Sequence, residues 1–279
     1  MNQTYNMTNS ITQNALRSLL YEVVTEPKPG LVDPGSPGPH PDMDIYTFID
    51  SSISLESYFA DAVKIGQTFH STDLTQMFQQ LRQRGITAEK EMFTATHGAN
   101  THKGAIFALG IFICAESYSM TNKTELFLTI TKMCKGLVQH DLVQNNELQT
   151  AGEQEFVKYK IGGARAQAEQ GYPIVREVAL PFLKSSTGTV QTRLLDTLMK
   201  IATVAVDSNL IKRAGNYDVV KWLHQEAIKY LDLGGYATAA GKKQLQKLSK
   251  ECLVHNYSLG GCADLLIVTV FVAFERGYI

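Results

Sequence analysis

The stretch Ala105-Ile106-Phe107-Ala108-Leu109-Gly110-Ile111-Phe112-Ile113-Cys114-Ala115 decides the fold. It is apolar on every face, with no period-two alternation, so it reads as a helix buried on all sides. Directly before it stands Thr96-His97-Gly98-Ala99-Asn100-Thr101-His102-Lys103-Gly104, two His, an Asn, two Thr and a Lys among Gly residues. A polar cluster thus sits at the entrance of a buried helix. Such an entrance carries unpaired N–H groups and a partial positive charge, which suits an anion, phosphate above all. A plain Gly/Asn turn with a solvated Lys is the competing reading.

The chain ends with the same logic. Asn256-Tyr257-Ser258-Leu259-Gly260-Gly261-Cys262-Ala263-Asp264 feeds the apolar run Leu265 to Phe274. Asp264 is expected in the first turn of that helix, as a cap or as a metal or substrate ligand. It is costly to bury unless a cation meets it.

Between these two helices and before them, helical spacing recurs. Ala15, Leu16, Leu19, Leu20 and Val23 mark a first helix, capped by Ser10 or Thr12 and preceded by a flexible tail over 1–10. Asp42 or Asp44 caps a long helix whose buried face carries Ile45, Phe48, Ile49, Ile53, Phe59, Ala62, Val63 and Gly66. Further helices are expected over 73–84, stopped by Gly85, then over 122–138, 174–184, 190–206, 218–233 and 239–251. Residues 139–152 read as loop. No strand pattern is present. The chain reads as all-α: one domain over 1–279, a multi-helix bundle of about ten to twelve helices with buried central helices.

Six of the chain's eight Pro fall between Pro27 and Asp44. Such a segment is neither helix nor central strand. It carries Lys28, Asp33, His40, Asp42 and Asp44 on a stiff backbone, which makes it a rigid connection or a pre-shaped wall of a site.

Composition narrows the classes. The chain has 279 residues, 19% of them charged, and a formal net charge of −1. No basic surface for nucleic acid is implied. Four Cys lie far apart without metal-type spacing and read as reduced thiols of a cytoplasmic protein, Cys114 and Cys262 falling in or beside apolar runs. The apolar run near the C-terminus is too short to span a membrane, and the polar N-terminus is no signal peptide. The motifs of P-loops, dinucleotide folds, zincins and serine hydrolases are missing. What remains is Lys28, Lys103, Arg165 and Arg213 as cations and Asp33, Asp42, Asp44, Glu89 and Asp264 as acids, all at helix ends or in loops. Cations with several carboxylates suggest a polyphosphate with Mg²⁺.

Lys28-Pro29-Gly30-Leu31-Val32-Asp33 followed by His40-x-Asp42-Met43 resembles the opening signature of the triphosphoribosyl-dephospho-coenzyme A synthases. Ala88-Glu89-x-x-Met92, Asn100-Thr101-His102-Lys103-Gly104, Gly152-Glu153, Gly163-Ala164-Arg165 and Gly260-Gly261-x-Ala263-Asp264-Leu265-Leu266 match in the same order. The resemblance covers roughly residues 15 to 275. Family members often read Gly-Gly-Val where this chain has His97-Gly98-Ala99, Gly-Glu-Ala where it has Ala166-Gln167-Ala168, and Arg-Gly-Gly where it has Arg213-Ala214-Gly215. Gln167 removes a carboxylate, so no metal or acid–base role is carried to it.

The resemblance implies a reaction. ATP gives its 5-triphosphoribosyl group to the 2′-hydroxyl of 3′-dephospho-coenzyme A, and adenine leaves. The product would pass to a transferase acting on the acyl carrier subunit of citrate lyase, or of malonate decarboxylase. Chemically this is a glycosyl transfer with an oxocarbenium-like transition state. His40 and His102, an imidazole having an ordinary pKa near 6.5, are the acid–base candidates for such a transfer, with Asp33 as a further catalytic candidate. Lys28, Asn100, Thr101, Lys103, Arg165, Arg213, Ser258, Gly260 and Gly261 are expected around the phosphates. Asp42, Asp44, Glu89 and Asp264 are expected around Mg²⁺. The partners expected are ATP and 3′-dephospho-coenzyme A, with no nucleic acid and no membrane; the oligomeric state stays open. An all-α, Mg²⁺-dependent nucleotide or ADP-ribosyl hydrolase would share the acids but use water as acceptor. A non-enzymatic helical assembly factor is the other rival.

Overall fold

A computed structural model describes residues 2–143 and 162–279. Among them are thirteen α-helices and no β-sheet. In chain order they are α1 (Asn2–Val24), α2 (Ile45–Ser54), α3 (Glu56–Thr68), α4 (Leu74–Ala95), α5 (Lys103–Asn122), α6 (Leu126–Met133), α7 (Gly163–Glu169), α8 (Leu180–Ser185), α9 (Val190–Ala202), α10 (Ser208–Ala214), α11 (Asp218–Asp232), α12 (Ala239–Val254) and α13 (Gly260–Glu275).

The two apolar stretches form the centre, as their composition requires. In α5 nearly every residue from Ala105 to Ala115 is buried, and in α13 every residue from Leu265 to Phe274 is. The two helices pack against each other; α3 and α4 cover α5, and α1 and α9 cover α13. The α3–α5 approach is close enough to require glycine. A Cβ on Gly66 would meet the backbone of Cys114 and Tyr118, and one on Gly110 would collide with the Tyr58 hydroxyl. That hydroxyl donates to the Ile106 carbonyl at 3.0 Å. By length and composition α5 could cross a membrane, but most of it is packed inside the protein.

Several boundaries differ from those the sequence suggests. α1 begins at Asn2, so residues 2–10 are helix rather than tail, and Ser10 and Thr12 lie inside it instead of capping it. Once a helix is nucleated on the docked Ile11, Ala15 and Leu19 stripe, adding a turn costs little. The long helix expected from Ile45 to Gly66 is two, split at Leu55, whose N–H bonds the Ser52 carbonyl. Ser52 and Ser54 bond back onto Phe48 and Ser51 carbonyls there, competing with the helix ladder. Ile53 is 63% exposed in consequence. Gly85 does not stop a helix: α4 runs through it, because Ala88 and Met92 continue the buried stripe begun by Met77, Phe78 and Leu81. A mid-helix Gly costs about 1 kcal/mol, less than the burial gained downstream. α5 runs on to Asn122 and ends on Lys123 in the left-handed region, and Glu125 caps α6 through the amides of Phe127 and Leu128. α9 ends at Ala202, short of Val206. Residues Gln139–Val143 and Ile174–Ala179 are single π-helical turns. The Gly152-Glu153 motif lies outside the described residues.

Candidate active site

The Pro-rich segment is a built structure. Asp33 accepts from the amides of Lys28 (2.8 Å) and Gly35 (2.9 Å). Gly30, at φ +68°, lies so close to the Tyr257 carbonyl that a Cβ would sit 2.8 Å from it. Leu259 donates its N–H to the Gly30 carbonyl at 3.4 Å. The segment is therefore docked on the turn that opens α13. Arg213 clamps the same joint, donating to the carbonyl of Pro39 (2.8 Å), the side chain of Asn256 (2.6 Å) and His40 Nδ1 (3.1 Å). The Gly30 backbone also bonds His40, whose imidazole is pulled below its ordinary pKa by burial and by Arg213.

Lys28 is 3% exposed and turns inward. Its ammonium donates to the Glu22 carboxylate at 2.5 Å and to the Glu22 carbonyl at 2.6 Å. Burial lowers its pKa, against the pull of Glu22 and Asp33.

α5 and α13 bring their N-termini together. Asp264 is the fifth residue of α13, one turn inside, so it caps nothing. Its carboxylate lies against Gly104, the second residue of α5, where a Cβ would overlap it. It accepts no hydrogen bond among the described residues. Burial raises its pKa well above the carboxylate range, and the charges of Asp207 and Glu22 push the same way. Asp207 is buried beside it. Its carboxylate accepts from the amides of Asn209 (2.9 Å) and Leu210 (3.2 Å) at the start of α10, and from Cys262 (2.8 Å) at the start of α13. One carboxylate thus caps two helices. Gly261 makes room for it, since a Cβ there would be 3.1 Å from Asp207.

His102 is the N-cap of α5 and 1% exposed. Ser51 Oγ lies 2.7 Å from its Nδ1, and Thr101 donates to Ser51 at 2.7 Å. Burial, with the charge of Lys28, drives its pKa down to about 3, so the ring is neutral. The expectation of an acid–base His here rested on an ordinary imidazole pKa, which this environment removes.

The expected site residues therefore separate. Gly104, after His102 and Lys103, meets Asp264, which follows Ser258, Gly260 and Gly261 where α13 begins. Lys28 and Glu22 are near enough for their charges to act on His102 and Asp264. Lys103 is exposed and pairs with Glu89 across the mouth of α5. Asn100 is exposed in the same turn. Arg165 is directed to Asp141 at 3.1 Å, which also takes Arg82 at 2.5 Å, although α7 begins against Ser208. Asp44 spends its carboxylate capping α2 through Thr47. Asp42 and Asp44 line an open acidic cleft of about 510 Å³ with Asp50 and His97. Asp42, Asp44, Glu89 and Asp264 thus do not form one set of ligands. Among the described residues no three His, Cys, Asp or Glu side chains are placed to hold a metal ion together.

The family model for ATP:dephospho-CoA triphosphoribosyl transferases, CitG, matches residues 8–278. The chain belongs to this triphosphoribosyl transferase family. A probable 2-(5''-triphosphoribosyl)-3'-dephosphocoenzyme-A synthase of Lactiplantibacillus plantarum is 48% identical over 273 residues, 96% of this chain and 98% of that protein. The Protein CitXG of Leuconostoc mesenteroides subsp. cremoris is 49% identical over 277 residues, 96% of this chain but 59% of that longer protein. A probable synthase of the same name from Citrobacter koseri is 35% identical over 267 residues, 93% of this chain and 88% of that protein. No solved structure matches.

Three residues of this transferase's candidate site escape a reading of the sequence. Glu22 follows Leu19 at helical spacing, an acid on a buried stripe. Asp207 precedes Ser208-Asn209-Leu210, a cap pattern after an apolar helix. Ser51 carries no signal at all.

Proposed function

We propose that this transferase moves the 5-triphosphoribosyl group of ATP to the 2′-hydroxyl of 3′-dephospho-coenzyme A at the junction of α5 and α13. The C1′–N9 bond of ATP breaks and its electrons leave with adenine, a C1′–O2′ bond forms, and the proton lost by the 2′-hydroxyl is balanced by the one that the departing adenine gains. The observation that carries this reading is the meeting of two helix N-termini around an unpartnered carboxylate, each in a segment that matches the family. Amides at the start of α5, with Lys103 beside them, suit the triphosphate. Burial keeps Asp264 protonated in the free protein; an approaching cation favours the ionised form, which then supplies negative charge where the ribose becomes cationic. Lys28, His40, Asp33 and Arg213 hold the Pro-rich wall in place, because each is already engaged by neighbouring groups. The whole chain acts as one catalytic domain.

Mg²⁺ fits this junction as an ion carried on the triphosphate, since Mg²⁺ keeps most of its waters and needs only one or two carboxylates. Asp264 would be its ligand, and the ion would neutralise phosphate charge. A cytoplasmic setting is consistent with four buried free thiols, Cys114, Cys134, Cys252 and Cys262. The product would supply the prosthetic group of a citrate lyase acyl carrier subunit.

Adenine release measured by chromatography tests this. ATP should release adenine only when 3′-dephospho-coenzyme A is present. Coenzyme A should be a far poorer acceptor, since its 3′-phosphate crowds and charges the reacting hydroxyl. Adenine release from ATP in water alone would restore the hydrolase reading.

A further inference from the structure

α2 carries two residues that face His102. Ser51 holds its Nδ1, and Phe48, one turn earlier, meets the ring edge-on with centroids 5.0 Å apart at 85°. The hydroxyl of Thr101 donates to Ser51, and Nδ1 is the acceptor left for the Ser51 hydroxyl among the described residues, so Ser51 donates to Nδ1. A neutral imidazole then carries its only proton on Nε2. That atom is buried and has no hydrogen-bond partner among the described residues. A buried unsatisfied donor is costly, and native structures rarely leave one without a use. With Nδ1 turned to α2, Nε2 is turned away from it. The ring feels Lys28 and sits at the positive end of a twenty-residue helix. These surroundings suit an anionic acceptor and disfavour a second proton on the ring.

We propose that Ser51 is a positioning residue: with Thr101 it fixes His102 as a neutral Nε2–H donor, which hydrogen-bonds a phosphate oxygen of the triphosphoribosyl donor. The choice of a triphosphate ligand rests on the function proposed above. His102 is then a binding group, and neither takes nor gives a proton during transfer. Ser51 touches no substrate; it acts through the ring. Phe48 packs on the same ring and keeps water from replacing the Ser51 bond.

Histidine-labelled protein tests this by ¹⁵N NMR, with His102 assigned through His102→Gln. The free protein should show the Nε2–H tautomer at neutral pH. Inorganic tripolyphosphate and ATP should both shift the Nε2 signal, and dephospho-coenzyme A alone should not. Ser51→Ala should mix the two tautomers and weaken tripolyphosphate binding, while the KM for dephospho-coenzyme A stays unchanged. His102→Gln places an amide N–H near Nε2 and should keep activity within about tenfold. His102→Leu should lose about 10- to 150-fold in ATP affinity, the range for a hydrogen bond to a charged group. An Nδ1–H tautomer, an Nε2 signal deaf to both phosphate ligands, or a Gln variant as inactive as Leu would overturn the proposal. If the unaltered protein releases no adenine, the transferase reading fails, and the tautomer and tripolyphosphate measurements still decide this one.

Discussion

The carboxylate of Asp264 occupies the space where a side chain on residue 104 would begin. Gly104 is therefore fixed by its neighbour across the helix pair, and not by backbone conformation. Gly104→Ala would gain about 0.5–1 kcal/mol of helix propensity but would force Asp264 aside, and overpacking of this kind costs about 1–3 kcal/mol. Adenine release should fall at least as far as in an Asp264 variant. Gly104→Ala with Asp264→Ala should regain the melting temperature but no activity, since the two costs share one contact. A Gly104→Ala enzyme with full activity would show that the carboxylate can move without consequence.

Asp264→Asn separates chemistry from stability. Asp264 lies inside the helix and makes no cap, so the variant should fold. It should lose turnover. The sign of the pH effect follows from the raised pKa: the folded protein holds a proton that the unfolded chain has already released. Stability should therefore fall as pH rises from the ordinary carboxylate range through the raised one. Urea midpoints at pH 6 and pH 8 should differ in the unaltered protein, with pH 8 the weaker, and the difference should shrink in Asp264→Asn. An unchanged pH dependence would place the titration elsewhere, Asp207 and Glu275 being carboxyls that burial also raises.

The helices at the centre were legible because their composition leaves no solvent face. Ala105 to Ala115 and Leu265 to Phe274 could only be buried, and the polar, Gly-rich residues before each had to lie where two buried helices open. The rest depends on contacts distant in sequence. Glu22 reads as one polar residue of α1 until Lys28 turns back onto it. Asp207 reads as a local cap, and its bond to Cys262, fifty-five residues on, cannot be seen in the chain. His40 and Asp33 look like catalytic residues by type and Arg213 like a phosphate ligand, yet in the folded chain Asp33 bonds the amides of the Pro-rich segment and Arg213 bonds Pro39 and His40. The Leu55 break fails for a different reason: Ser side chains bond their own backbone there, and apolar spacing does not record it.

Lys28 and Glu22 form a pair that burial makes asymmetric. Lys28→Met would leave the buried Glu22 carboxylate without its cation. Removing one partner of a buried pair costs about 3–5 kcal/mol. Lys28→Met with Glu22→Gln should recover most of that, because no unpaired charge remains. Chemical denaturation of the two variants checks this. Equal stability of single and double variants would mean that the Glu22 side chain never needed Lys28.

Lys103 stands at the mouth of α5 with its ammonium on Glu89. Both side chains are substantially exposed, and such pairs contribute about 0–1 kcal/mol. Exchanging Glu89 for a phosphate is therefore cheap, and the Lys is available to a ligand in a way that Lys28 is not. Lys103→Met keeps the apolar stem and removes the charge, so the fold should survive. The loss of one charge-assisted hydrogen bond should cost about 1.5–3 kcal/mol, or about 10- to 150-fold in ATP affinity. Dephospho-coenzyme A should bind as before. Glu89→Gln should act in the opposite direction and tighten ATP slightly, since the Lys then has no competing partner. Calorimetric titration of both variants with each substrate decides the matter. A Lys103→Met protein that binds ATP normally but dephospho-coenzyme A poorly would put the acceptor, and not the triphosphate, at the start of α5.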